Sequence, residues 1–242
     1  MIWAILSDVH GNLEALQAVI EDCRREGTQR LAFLGDAVGY GANPNECLSI
    51  LEELTDLRVA GNHDYGAVGL TDVSYFNPSA RAAIEWTATV LTEKNRFSLL
   101  RFPLVERTGE ITLAHATLHQ PDGWDYILAA GDAEQSFLEL QGKALFIGHS
   151  HQPLIVERKK EGRLSSREQE VIVMEEGAQY LINSGSVGQP RDFNPLAAYG
   201  LYDDESQKYR LKRVAYDIQT AQEKILRAGL PPSLARRLSY GQ

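Results

Sequence analysis

The chain has 242 residues, two cysteines and a net charge of −9. That length fits one large domain with a sizeable core, and the acidic balance argues against broad gripping of nucleic acid, which needs basic surface. No apolar stretch approaches the roughly 20 residues of a membrane helix, and the N-terminal apolar run lacks the length and basic start of a signal peptide. A cytoplasmic protein with no membrane partner and no stable nucleic-acid complex is the expectation.

In chain order, Ile2–Leu6 reads as a strand buried on both faces and runs into Ser7-Asp8-Val9-His10-Gly11-Asn12. Asp8 and His10 share a side because side chains alternate with period two, and Asn12 is placed to cap a helix. Leu13, Leu16, Val19, Ile20 and Cys23 then recur at helical spacing up to Gly27. Residues 31–34 predict a second strand, ending in Gly35-Asp36. Asn43-Pro44-Asn45-Glu46 opens a helix with a cap, a first-turn proline and a glutamate three residues on. Residues 57–60 predict a third strand, ending in Gly61-Asn62-His63-Asp64.

Residues 65–77 read as a loop and 78–92 as a helix. Ile111–Ala114 predicts a strand ending at His115, residues 133–140 a helix, and Ala144–Ile147 a strand ending in Gly148-His149-Ser150-His151. The polar run 157–169 predicts an exposed hairpin loop or flap. Residues 170–174, 179–182, 197–202 and 209–214 predict a separate antiparallel group of strands. Two short helices around Gly229-Leu230-Pro231-Pro232 close the chain. The reading is an α/β domain over residues 1–216, with 217–242 as a helical appendage of the same domain. Cys23 and Cys47 fall in helices at a spacing that matches no metal or redox motif, and read as packing residues.

Five strand ends carry groups able to hold a metal: Asp8 and His10, Asp36, Asn62 and His63, His115, then His149 and His151. Five of the six histidines sit there, and only His119 falls outside. Imidazole with carboxylate suits manganese, iron, nickel, cobalt or zinc rather than calcium. The donors exceed the needs of one tetrahedral site, so two ions sharing a carboxylate is the economical reading, with Asp36 on a middle strand as the shared group.

These ordered blocks resemble the complete motif set of the calcineurin-like metallophosphoesterases over roughly residues 1–190. The resemblance implies a four-layer αββα sandwich, two mixed β-sheets flanked by helices. It assigns Asp8, His10 and His151 to one divalent transition-metal ion, Asn62, His115 and His149 to a second, and Asp36 to both, the metals being manganese, iron, nickel or zinc. It gives His63 a hydrogen bond or proton toward the phosphate and leaving group, with Asp64 orienting that imidazole. The implied reaction is in-line attack by a metal-bridging hydroxide on a phosphorylated substrate.

Where the phosphoprotein phosphatase branch carries Asp-Arg-Gly after Gly-Asp, this chain has Gly39-Tyr40-Gly41. The phosphate-gripping arginine of that branch is missing, and the chain looks more like the small bacterial and archaeal phosphodiesterases. A phosphodiester or pyrophosphate-type bond in a small nucleotide is therefore the expected substrate. Phosphomonoester or phosphoprotein hydrolysis is the alternative, and a non-catalytic metal-binding scaffold the alternative of another class. Residues 183–192 resemble a segment of the small branch, in which Arg191 either contacts a substrate phosphate or pairs with Asp192 or another acid. Tyr40 and Tyr65 offer walls for a nucleoside pocket, although plain turns explain them more simply.

Overall fold

The computed structural model describes all 242 residues. Its strands are β1 (Ile2–Leu6), β2 (Arg30–Phe33), β3 (Val105–Thr108), β4 (Ile111–Ala114), β5 (Ala144–Ile147), β6 (Leu154–Arg158), β7 (Leu164–Arg167), β8 (Val171–Val173), β9 (Gln179–Asn183), β10 (Ala197–Asp203) and β11 (Lys208–Val214). Its α-helices are α1 (Leu13–Arg25), α2 (Pro44–Leu54), α3 (Asn62–Val68), α4 (Pro78–Val90), α5 (Glu93–Leu99), α6 (Glu134–Glu139), α7 (Ile218–Arg227) and α8 (Pro232–Leu238).

Alternation along β1 sets the layering. Trp3 and Ile5 point to one side, Ala4 and Leu6 to the other, and all four are buried; a strand buried on both faces must lie between two layers. The first sheet has the order β2-β1-β10-β11-β8 and the second β3-β4-β5-β9-β6-β7. Both are mixed: β1 runs parallel to β2 and antiparallel to β10, while β5 is parallel to β4 and β9, and β9 is antiparallel to β6.

Between the sheets Trp3, Ile5 and Leu34 meet Leu113, Phe146, Ile182, Tyr202 and Tyr209. On the far side of the first sheet Ala4, Leu6, Phe33 and Tyr199 pack on Leu16 and Val19 of α1 and on Leu48 and Leu51 of α2. Beyond the second sheet Ala114, Leu145, Ile147 and Leu181 pack on Phe137 of α6. The layers therefore run helix, sheet, sheet, helix. Each buried Leu or Phe contributes about 1.5–3 kcal/mol. α7 and α8 place Ala221, Ile225, Leu234 and Leu238 against Tyr40 and against Ala80 and Ala83 of α4. No helix is long and apolar enough to cross a membrane.

Several expected elements differ. Residues 57–60 do not form a third strand. Phe33 N donates to Leu57 O and Val59 N to Phe33 O, but Ala60 N turns away to Pro103 O, so the segment makes one isolated parallel bridge with β2. The late strands do not form a group of their own: β9 inserts between β5 and β6 in the second sheet, and β8, β10 and β11 extend the first. The run 65–77 is not all loop, because α3 begins at Asn62 and continues to Val68. The run 157–169 holds the β6–β7 hairpin, whose Glu157 is buried, accepts from Tyr180 Oη at 3.0 Å and pairs with Arg167. Asn43 precedes α2 but makes no side-chain cap, and its amide donates to Glu46 instead.

Candidate metal centre

The carboxyl ends of β1, β2, β4 and β5 meet at one edge of the paired sheets, and hydrogen bonds between the turns continue the pairing past the strands. Asp8 N donates to Gly35 O at 3.0 Å, His10 N to Asp36 O at 2.9 Å, and Gly148 N to His115 O at 2.8 Å. Gly148 permits a close approach. A Cβ there would stand 1.8 Å from Ser7 Oγ and 2.4 Å from Asp8 Oδ2. Asp8, His10, Asp36, His149 and His151 all have left-handed backbone, with φ between +49° and +67°, a conformation that Asp and His tolerate better than most residues. It turns successive side chains inward where an extended strand would send every second one away.

The resulting cluster is buried. Asp8 Oδ1 lies 3.2 Å from His151 Nε2, 3.7 Å from His10 Nε2 and 3.9 Å from His115 Nε2. Asp36 Oδ2 lies 3.5 Å from His10 Nε2 and 3.4 Å from His115 Nε2. Three overlapping donor groups result, Asp8/His10/His151, His10/Asp36/His63 and Asp8/Asp36/His115. Asn62 heads α3 beside them, and His149 packs 5.1 Å from the His115 ring.

The hydrogen bonds assign the free lone pairs. His10 Nδ1 donates to Val38 O, His115 Nδ1 to Leu34 O, His151 Nδ1 to Gln189 O and His149 Nε2 to Trp124 O, at 2.6–3.0 Å. A carbonyl can only accept, so each ring's other nitrogen is left for a metal, in the manner of outer-sphere partners of ligating histidines. The Nε2 atoms of His10 and His151 then face each other at 3.1 Å, two acceptors with no proton between them. Asp8 Oδ1 and Asn62 Oδ1 are buried with no hydrogen-bond partner at all. Orphaned acceptors of this kind are costly unless a cation satisfies them, so the donor set fits divalent transition-metal ions.

Electrostatics agree. Burial pushes His151 down to about 3, and burial together with His115 pushes His149 down to about 4, so both rings are neutral as ligation requires. Burial also opposes charge on His115, but the Asp36 and Asp8 carboxylates outweigh it and raise that ring to about 9. For Asp8, burial is outweighed by His151 and its hydrogen-bonding neighbours, which hold the carboxylate well below its usual range.

The other expected residues fall differently. His63 lies beside the cluster, 4.8 Å from the His10 ring, and burial holds it well below the ordinary histidine value. Asp64 does not orient His63, whose Nδ1 has no partner. Its carboxylate instead accepts from the backbone N–H groups of Asp36, Ala37, Val38 and Gly61, pinning the turn that aims Asp36. Burial and the Asp36 charge raise Asp64 to about 7. Arg191 does not pair with Asp192, which is taken by Arg213; it donates to Tyr40 Oη at 3.2 Å and Gln189 Oε1 at 3.1 Å. The rest of residues 183–192 braces the centre: Asn183 Nδ2 donates to Gly148 O and Ser186 Oγ to Asp8 O. His119 stays outside, paired with Glu139.

The cluster opens on a cleft of about 960 Å³ walled by Tyr65, Tyr75, Phe76, Trp124 and Tyr126, with His63, Asn62 and His149 in its lining. Tyr126 stacks on His149 at 4.1 Å, and Tyr75 is 89% exposed. Sequence reasoning named only Tyr40 and Tyr65 among these aromatic residues. Trp124 and Tyr126 follow no strand end, and the carbonyls that fix the imidazoles leave no trace in residue identity.

Comparison with known proteins agrees with this geometry. The calcineurin-like phosphoesterase superfamily domain matches residues 1–206. An uncharacterized protein of Methanocaldococcus jannaschii is 40% identical over 243 residues, spanning 99% of this chain and 98% of its own. A metallophosphoesterase from Sphaerobacter thermophilus superposes with a TM-score of 0.88 at 37% identity, covering 100% and 99% of the two chains. The Escherichia coli phosphodiesterase YfcE is 26% identical over 199 residues, 82% of this chain and 85% of its own. Buried Asp and His donors at the joined ends of two mixed sheets, and a family match across most of the chain, make this protein a metal-dependent phosphoesterase of the calcineurin-like superfamily.

Proposed function

We propose that the protein hydrolyses a phosphodiester or pyrophosphate-type bond in a small nucleotide-like substrate, using two divalent ions. The observation that carries this reading is the set of unsatisfied, inward-facing donors at the floor of an aromatic-walled cleft. Asp8, His10 and His151 would hold one ion, Asn62, His115 and His149 the other, and Asp36 would touch both. Supporting this, Asp36 Oδ2 lies at nearly equal distances from His10 and His115, which belong to different ligand sets. Manganese, iron, nickel and zinc all suit these donors. When bound, such a pair activates water at neutral pH and clamps phosphoryl oxygens.

The chain's own groups do the rest. His63, held neutral by burial, donates a hydrogen bond to a phosphoryl or leaving-group oxygen, and phosphate binding would strengthen its hold on a proton. Arg191, free of any acidic side chain, is available to a phosphate of a larger substrate. Tyr65, Tyr75, Trp124 and Tyr126 offer stacking faces to a nucleobase. A bulky phosphoprotein loop has no comparable use for these walls, and Tyr40 stands near where the phosphoprotein phosphatases carry their arginine. Two free, buried cysteines suit the cytoplasm.

The test is a substrate panel with the manganese-loaded protein: bis-p-nitrophenyl phosphate, dinucleoside polyphosphates, p-nitrophenyl phosphate and phosphopeptides. The first two are expected to turn over fastest. Faster turnover of phosphopeptides overturns the substrate assignment, and metal binding without turnover of any ester supports the scaffold reading.

A further inference from the structure

Two guanidinium groups from distant parts of the chain converge on Tyr40. The Cζ of Arg191 lies 5.7 Å from the Tyr40 ring centroid and that of Arg237, in α8, lies 5.8 Å from it. Tyr40 is 4% exposed, and its ring stands 4.6 Å from the His10 ring and 4.4 Å from the His63 ring. One aromatic ring therefore separates the two cations from a metal-ligating imidazole and from the imidazole placed toward the leaving group.

Neither guanidinium is paired with an Asp or Glu side chain. Arg191 makes its two neutral hydrogen bonds to Tyr40 and Gln189, and its Nε is buried without a partner. Arg237 donates from Nε to an oxygen of Gln242, the last residue, and its two terminal nitrogens carry no hydrogen bond. In a chain with 33 acidic and 24 basic side chains, leaving two partly buried arginines on one ring without an acidic side chain is unfavourable. Burial and the charge of Arg191 both weaken the hold of Arg237 on its proton. Stacking on Tyr40 needs one guanidinium, not two.

Packing nevertheless enforces the arrangement. Leu234 and Leu238 of α8 are buried against Tyr40, Ala80 and Ala83, which turns Arg237 inward and leaves Arg236 exposed. An anion between the two arginines would compensate both charges, and the planar guanidinium fork is suited to phosphate oxygens.

We propose that Arg191 and Arg237 form a subsite for a second phosphoryl group of the substrate, linked to the one held at the metal centre. The enzyme then selects nucleotides with two or more connected phosphates over simple diesters, and α7–α8 act as a specificity element. The proposal rests on the phosphoesterase reading above and deepens it.

The experiment compares steady-state kinetics of the full-length, manganese-loaded protein on diadenosine tetraphosphate and on bis-p-nitrophenyl phosphate, for wild type, Arg237→Gln, Arg237→Lys and Arg191→Gln. Exposed Arg236→Gln is the control and should behave as wild type on both. Loss of one charge-assisted phosphate contact predicts a KM for the tetraphosphate raised about tenfold in Arg237→Gln, with kcat nearly unchanged, a much smaller effect on the diester, and partial recovery in Arg237→Lys. Calorimetry should show weaker inorganic pyrophosphate binding in the same variant, with orthophosphate binding little altered. Arg191→Gln lies on a different segment and decides the matter if Arg237→Gln fails to fold. Equal losses on both substrates, unchanged pyrophosphate affinity, or wild-type turnover of the diester but not the tetraphosphate would each overturn the subsite alone. Absence of wild-type turnover on both compounds would overturn the phosphoesterase substrate reading itself.

Discussion

Asp8, His10, Asp36, His149 and His151 each hold a left-handed backbone conformation that costs about 1–3 kcal/mol for a residue with a side chain. The strain is confined to the donor turns, where it aims groups that an extended strand would turn aside. His115 differs, because its position is ordinary and its charge is not. Raised to about 9 in the metal-free protein, it carries a proton at pH 7 that a metal must displace. Metal affinity should therefore rise with pH, by up to about tenfold per unit, until it flattens near 9. Calorimetry in two buffers of different ionisation enthalpy measures the released proton, and binding without release would contradict the assignment. In the metal-free protein the same shift favours folding below the ordinary histidine value and is lost as pH rises through about 9. His63→Ala should lower turnover by about 10²–10⁴ with both metals retained, and the loss should shrink for esters with good leaving groups. Loss of metal in that variant would make His63 a ligand, which its place near His10 and Asp36 allows.

Among the elements, the turns carry more of the function than the strands. Gly148 follows β5 against the turn after β1, and a methyl group there would overlap Ser7 Oγ and Asp8 Oδ2. Gly148→Ala is expected to destabilise the fold by about 1–3 kcal/mol, the usual range for overpacking, and to lower metal content. Gly131→Ala, which meets nothing within 4 Å at a position without positive φ, should do neither. Urea unfolding with metal analysis of both variants checks this, and equal behaviour would mean the turn can yield. Residues 57–60 stop short of a strand for a separate reason. They must deliver Asn62 into α3, so Ala60 leaves β2 for Pro103.

At the scale of the molecule, the metal centre lies where the two sheets meet, beside their apolar interface and hydrogen bonds such as Ser186 Oγ to Asp8 O. Ligands from both sheets share one charge cluster, so metal binding should stabilise the whole fold, by about 2.7 kcal/mol at a free metal concentration of 100 Kd. Chelation should lower the thermal midpoint of wild type and of His119→Ala, whose side chain pairs with Glu139 away from the centre. Asp36→Asn keeps an acceptor for His63 N–H but lacks the shared charge. Its midpoint should depend little on metal, and a full metal-dependent shift in that variant would contradict the proposed bridging role of Asp36.

The donor residues were legible in the sequence because their placement is local: a short apolar run sets a strand, the strand sets alternation, and the glycine-rich end sets the turn. The four layers were implied by the family resemblance, and strands apolar on both faces, which need cover on both sides, agree with them. Only the tertiary structure decided what depends on partners remote in the chain. β9 lies between β5 and β6, although its own pattern would serve either sheet. Asp64 serves the Asp36 turn rather than His63, because four backbone N–H groups converge on it once Gly35-Asp36 and Gly61-Asn62 are side by side. Arg237 reaches Tyr40 across nearly two hundred residues through the packing of α8, since hydrophobic burial fixes where a helix docks and nothing in its periodicity names the neighbour it will meet.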